Sequence, residues 1–451
     1  MNIENGHCLH IVLFGTFNER KYFLQDFRDS FDMVGFNANI IAHAPQGIAA
    51  LVAMMSNKNY FIDPQFHAFQ QPIRTIMRRK NNEWVVKESI RKLAEQYGNI
   101  ITEKLGSASI LAGTFNEVEK MELTKNIINF QWDVLEKVSE DQEYKDFLEF
   151  VDAHLRPQFL IAPYFFIEPD NFENEIYDNL SFVKLSRDYL NSDNDLKKEM
   201  LFAEIVIHKE VLSDKEMTKR IVDGYHNSEA DGFILWIDNF VEVKETESLL
   251  KDYVKFLVQL KKNTGKPVMN FHGSYFSIFL ASKAISLLAG VGHGIEYGES
   301  RPVIPVGGGI PLAKFYFPRF HKRIDYDPDA SNILLEMNWI KDKNTYLENV
   351  CSCPVCKEVI VNDVMSDFQA FGETNISEKN GKAYPTPEAM DISRKHYLYN
   401  KTMEYNYCKK AEISQIIMRL SEAQNIAKNV EKIHPFYHLK KWINILKEFN
   451  Y

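Results

Sequence analysis

The alternation of strand-like and helix-like segments predicts an α/β protein, a (βα)8 TIM-like barrel with a metal-braced helical appendage. Two observations carry the barrel: short apolar runs recur, each followed by a polar turn and a helical pattern, and there are about eight of them. A third, the cluster CSCPVC after the last run, marks the appendage. Parallel strands covered on both faces read as continuous apolar runs, and about eight βα units fit a closed barrel better than an open sheet.

The expected strands are, in order, NIIAHA (39–44), NYFID (59–63), FLIAPYFFI (159–167), LFAEIVIH (201–208), GFILWID (232–238), PVMNFHG (267–273), GHGIEYG (292–298) and KFYFPRF (314–320). Between them lie amphipathic segments such as ESLLKDYVKFLVQLKKNTG, whose apolar residues recur at helical spacing and which stops at Gly265. The charged stretch near 114–150 reads as a helical insertion in a barrel domain spanning 1–330. From 331 to 451 the strand rhythm gives way to the cysteines and then to helices such as EISQIIMRLSEAQNIAKNVEK. A Rossmann sheet is the main rival, but FGTFNERKY has one glycine where that fold needs several.

Three thiolates on one tight loop, Cys351, Cys353 and Cys356, supply three corners of a tetrahedral zinc site. His396 is the expected fourth ligand, with Cys408 as its rival. The chain has five cysteines, an odd number, and three of them crowd this loop, which argues against a disulfide scaffold. Four protein ligands leave no open coordination position, so the zinc is expected to be structural.

At 451 residues, 45% hydrophobic and 25% charged, the chain can bury a large core. A net charge of −9 argues against indiscriminate nucleic-acid binding. Basic residues nevertheless gather at Arg74, Arg78, Arg79 and Lys80, and at Arg319, His321, Lys322 and Arg323. Each group is a candidate phosphate contact or a solvated face. No run approaches the roughly twenty apolar residues of a membrane span, and no leader pattern opens the sequence, so a cytoplasmic protein without membrane contact is expected.

In a barrel the reacting groups stand at the C-terminal ends of strands. That rule selects Asp63 and Asp238, a pair of carboxylates suited to chemistry at an anomeric carbon. The competing reading, that each Asp caps the next helix, is the commoner use of such a residue. Trp236 offers a stacking surface, and His272, His293, Glu296, Glu299 and Arg301 are candidate substrate contacts. The glycines around them, with VGGGIP at 306–311, allow close backbone approach.

Together the barrel rhythm, the CxCxxC cluster and the downstream histidine resemble the tRNA-guanine transglycosylase superfamily. FIDPQFHAFQ is similar to that family's early strand-end motif, with Asp63 in the aspartate's place, and DGFILWID to its DGF-type strand. GIEYGESR stands where the family carries an aspartate shortly before a Pro-Thr-Arg turn. The resemblance implies a structural Zn2+ on Cys351, Cys353, Cys356 and His396. It also implies a pentosyltransferase that replaces guanine in nucleic acid with a 7-deazaguanine such as 7-cyano-7-deazaguanine, through a covalent aspartyl-glycosyl intermediate. Asp238 is favoured as nucleophile over Glu296 or Glu299, and Asp63 as the proton-handling group. DNA is the first expectation for the polymer and tRNA the second, with room for accessory proteins that open a duplex. The alternative is a zinc-containing nucleic-acid-binding barrel without catalysis.

Overall fold

A computed structural model describes residues 3–55, 58–137, 142–151, 153–295, 301–304, 312–377 and 381–448. The chain opens with β1 (Leu9–Phe14), β2 (Met33–Asn37) and β3 (Asn59–Asp63), followed by a small hairpin, β4 (Met77–Lys80) and β5 (Glu83–Val86). Then come β6 (Leu160–Ile161), β7 (Leu201–Ile207), β8 (Gly232–Ile237), β9 (Val268–Asn270) and β10 (Gly290–Gly294). Eight of these form one sheet in the order β3-β2-β1-β10-β9-β8-β7-β6, every pairing parallel. Its two edges meet: Gln158 N–H, just before β6, donates to the Tyr60 carbonyl of β3 at 2.7 Å. The sheet is therefore a nearly closed, barrel-like surface.

Strand periodicity decides what fills it. Leu9, Ile11, Met33, Phe61, Ile161, Phe202, Val206, Ile234, Trp236 and Met269 form one buried interior cluster. Their neighbours Val12, Phe14, Val34, Phe36, Tyr60 and Ile62 pack outward on one side, and Ile205, Ile207, Phe233 and Leu235 on the other. Both faces are thus apolar, which is why β7 and β8 read as unbroken hydrophobic runs. At Gly292 a Cβ would lie 2.4 Å from the Phe271 carbonyl oxygen, so the backbones of β10 and the segment after β9 approach only because that residue is glycine.

The strand expectations hold at 59–63, 201–207, 232–237 and 268–270, and in part elsewhere. NIIAHA is mostly the helix Ala38–His43, because MVGFN immediately before it supplies β2. KFYF is a strand, but among the described residues β11 (Lys314–Phe317) pairs only with β12 (Lys322–Asp325), antiparallel and outside the main sheet. The two missing sheet members are β1 and β2 at the N-terminus. The charged stretch after residue 114 forms the helices Glu117–Asp133 and Gln142–Phe150 between β5 and β6.

Behind the β1 and β10 side of the sheet lies the helix Pro387–Cys408. Its Tyr405 hydroxyl donates to the Val291 carbonyl at 2.8 Å, and Tyr316 and His321 both bond Glu404, at 2.5 and 2.6 Å. A buried ion pair of Lys401 with Glu404 at 3.1 Å completes this seam. None of the described helices is long and apolar enough to cross a membrane.

Candidate functional site

Asp63 ends β3, fully buried. Its Oδ1 accepts the Gln65 amide and the Tyr164 hydroxyl, both at 2.7 Å, while Oδ2 has no partner among the described residues. The same Tyr164 oxygen lies 2.9 Å from His67 Nδ1. Tyr164 has one proton and gives it to Asp63, so His67 must donate from Nδ1, which leaves Nε2 as a bare lone pair. A directed chain results, His67 to Tyr164 to Asp63. Burial pushes the Asp63 carboxyl up to about 6, against the pull of its two donors and the Arg301 charge. Burial, aided by Arg301, pushes His67 down to about 3, consistent with a neutral imidazole.

Glu204 lies beneath this group, 1% exposed, at an inward position of β7 between Phe202 and Val206. Neither of its oxygens has a partner among the described residues. Burial first, then the Asp63 charge, raises its pKa well above the ordinary carboxylate value, which favours the protonated form. The signal was in the sequence: Glu204 is the one charged residue of LFAEIVI. It belongs with Asp63 in the site.

Ring contacts continue across the barrel mouth. His67 meets Trp236 edge-on at 5.2 Å, and Trp236 lies 4.7 Å from His272. His272 Nε2 is buried without a partner among the described residues, and burial, then the Arg301 charge, hold its pKa well below the ordinary value. The Trp236 indole donates to the Arg301 carbonyl at 3.1 Å. Asp238 follows β8, its amide continuing the ladder to Ile207 O at 2.9 Å. Its Oδ1 accepts the Val303 amide at 2.6 Å and its Oδ2 the Asn239 side chain at 2.9 Å. Asp238 is therefore no helix cap: it straps residues 301–303 across the end of β8, and the next long helix is capped by Thr246. Asp63, Trp236, Asp238, His272 and Arg301 come together at one end of the sheet.

His293 does not join them. In β10 the glycines point inward and His293 outward, where its Nε2 lies 2.8 Å from His10 Nε2. His10 donates from Nδ1 to Ser30 O at 2.7 Å, so His293 is the donor of that pair. Both rings sit beneath Tyr405, with His10 stacked on it at 4.1 Å. Glu296, Glu299 and the glycine run at 306–311 lie outside the described residues. The second basic group is engaged in structure: Arg319 donates to Asn349 O, Lys322 bonds His434, and Arg323 bonds Ile295 O while covering Tyr397.

The cysteine loop and the helix Pro387–Cys408 converge on one point. Cys351, Cys353, Cys356 and His396 are all buried, with ligand atoms within 4.8 Å of one another. His396 Nδ1 stands 3.5 Å from Cys353 Sγ and 3.3 Å from Cys356 Sγ. A tetrahedral ion with bonds of about 2.0–2.3 Å requires edges of this order. His396 Nε2 donates to the Tyr316 carbonyl at 2.7 Å, which fixes the tautomer and aims Nδ1 at the centre. The Cys353 and Cys356 amides point at Cys351 Sγ and Cys353 Sγ, each at 3.4 Å. These residues could hold one metal ion. Cys408 is three helical turns beyond His396, roughly 18 Å along the axis, and is excluded as a ligand.

No protein-family model matches the chain, and no curated protein matches its sequence.

Proposed function

We propose that this chain is a nucleic-acid base-exchange glycosyltransferase on a closed (βα)8 TIM-like barrel, replacing guanine in DNA with a 7-deazaguanine, and that its Cys3His cluster holds structural zinc. The observation that carries the reading is the pairing, at one barrel end, of an anchored carboxylate, Asp238, with a buried proton chain ending on the free Oδ2 of Asp63. Exchange at an anomeric carbon needs those two functions in separate groups.

In this reading Asp238 attacks the sugar C1′, the C1′–N bond breaks, and its electron pair leaves with the base. Asp63, raised to about 6, supplies the proton to the departing base and later removes one from the incoming 7-deazaguanine, whose nitrogen displaces Asp238. Two displacements restore the original configuration. Tyr164 and His67 hold Asp63 in place, and Trp236 with His272 gives a flat wall against which a heterocycle would lie. In a duplex the target base must be flipped to reach them. Zinc, when bound, braces the 331–451 segment through His396 and the Tyr316 carbonyl, far from any role in bond making.

The test is incorporation of labelled 7-cyano-7-deazaguanine into DNA and, separately, into tRNA. Label on DNA supports the reading, and label on tRNA moves the polymer. Label on neither, with the metal present and the nucleic acid bound, replaces the enzyme by a binding protein.

A further inference from the structure

The first basic group is not dispersed over a helix face. Arg78, Arg79 and Lys80 stand on the β4–β5 hairpin, with the ladder Met77–Val86, Arg78–Val85, Arg79–Trp84 and Lys80–Glu83, and Arg74 lies in the short helix Ile73–Ile76 before it. Asn81 and Asn82 turn it, both at positive φ (50° and 66°), which is the backbone of the tightest hairpin connection and gives the tip a fixed twist. Its base is anchored: Met77 and Val86 pack over Gly106, and Lys87 N–H donates to Ile76 O at 2.9 Å. Every residue from Arg78 to Trp84 is exposed.

Three features of this tip point to a ligand. Trp84 is 46% exposed, although an indole on a protruding tip gains nothing from the core. The Arg74 guanidinium lies over its ring at 4.7 Å, so the indole is already held in a cation–π contact of the kind that orients a stacking platform. Arg78, Arg79 and Lys80 make neither an ion pair nor a side-chain hydrogen bond with the described residues, and Glu83 is the one acid on the tip. The ladder sets Arg79 beside Trp84 on one face of the ribbon and Arg78 and Lys80 on the other, so a chain of net charge −9 carries cations on both faces of an arm with an exposed indole on one of them. The hairpin also departs from the connection after β3, the same connection that places Asp63 and His67, so it is rooted at the rim of the candidate site.

We propose that the β4–β5 hairpin is a nucleic-acid-binding arm, in which Trp84 stacks on an exposed base, Arg79 beside it binds the adjacent phosphate, and Arg78 and Lys80 on the reverse face bind phosphates of the strand as it passes the arm. Bases stack on aromatic rings whatever their sequence, and guanidinium groups pair with phosphate oxygens in a geometry that lysine alone does not give. The arm takes its polymer class from the base-exchange reading and adds the grip that a pocket for one base lacks.

The test is fluorescence anisotropy with a labelled single-stranded DNA oligonucleotide and an RNA of the same sequence, on the full chain across a salt series. For the polymer that binds, the combined Arg78→Ala, Arg79→Ala, Lys80→Ala variant should weaken affinity by about 10-fold or more and lower the salt slope by about two to three. Trp84→Ala should weaken binding about 5- to 100-fold with the slope unchanged, and Trp84→Phe should restore most of it. Thermal melting and binding of free 7-cyano-7-deazaguanine should be those of the unaltered protein. Wild-type affinity in both the triple variant and Trp84→Ala overturns the arm, as does a wild-type chain that binds neither polymer. If the variants lose binding as stated while no label is exchanged by the wild-type protein, the arm stands and the base-exchange reading falls.

Discussion

Asp63 and Glu204 compete for protons in one buried space, and the consequence is measurable as stability. A carboxyl raised by burial binds its proton more tightly folded than unfolded. For Asp63, which rises from 3.8 to about 6, the stabilising contribution is present below pH 4 and is lost as pH rises through about 6. Asp63→Asn removes that loss while its amide oxygen still accepts from Gln65 and Tyr164. Urea unfolding should show the variant more stable than wild type by about 1–3 kcal/mol at pH 8, with the difference closing near pH 4. A constant difference across that range would remove Asp63 from the titrating pair. Asp238 calls for a different substitution. Because its Oδ1 holds the Val303 amide, alanine would free the 301–303 segment, whereas asparagine keeps the acceptor and cannot attack carbon. Asp238→Asn should lower labelled-base incorporation by about a thousand-fold or more at unchanged melting temperature; normal turnover would exclude it as nucleophile. The two aspartates were legible because a polar residue at the end of an apolar strand is conspicuous. Glu204 was equally visible, but a rule that looks only at strand ends passes over mid-strand acids. His293 could not be placed from sequence, since GVGHG alternates and nothing local says which parity faces inward.

At the scale of elements, the strands that were read correctly are the ones buried on both faces, and the helix Glu247–Thr264 was legible from its period and its Gly265 stop. β1 and β2 were not, because His10 and Gly35 interrupt their apolar runs. NIIAHA reads as a strand because its four apolar residues, Ile40, Ile41, Ala42 and Ala44, fit either period in so short a run. Glycine explains more of β10 than ligand binding does. Gly292 has the Phe271 carbonyl where its Cβ would go, and backbone cannot rotate aside as a side chain can. Gly292→Ala should therefore cost about 1–3 kcal/mol by chemical denaturation, the range for overpacking a filled core. A neutral result would mean that β9 and β10 separate more easily than their spacing implies. The buried carboxylate of Glu242 plays a comparable local part, accepting the amides and hydroxyls of both Ser274 and Ser277 at the start of the helix Tyr275–Leu280. It positions His272 by fixing the turn after β9.

Over the whole molecule, the Cys3His cluster and the outer face of the barrel share one continuous apolar core, and a few polar contacts fix their register. His396 bonds Tyr316 of β11 through Nε2, the same helix carries Glu404 to His321 and Tyr316, and Tyr405 reaches the carbonyl of Val291 in β10. Phe315 and Phe371 pack on His396 and share a core with the cysteine loop, but without a central ion three buried thiols and an imidazole still meet there with no partner that satisfies them all. Removing the ion should therefore act on the docking of this helix before it acts on the pocket. Elemental analysis should find about one equivalent of zinc per chain, as four protein ligands to one ion require. A chelator or Cys353→Ser should remove it and lower the melting temperature, with protease cleavage appearing first between residues 331 and 408. Incorporation of the labelled base should fall only in step with the unfolded fraction, because the four ligands fill the coordination sphere and Asp63 and Asp238 stand on strands that do not depend on it. Loss of incorporation in a chelated sample that still melts at the wild-type temperature would instead give the metal a part in the reaction.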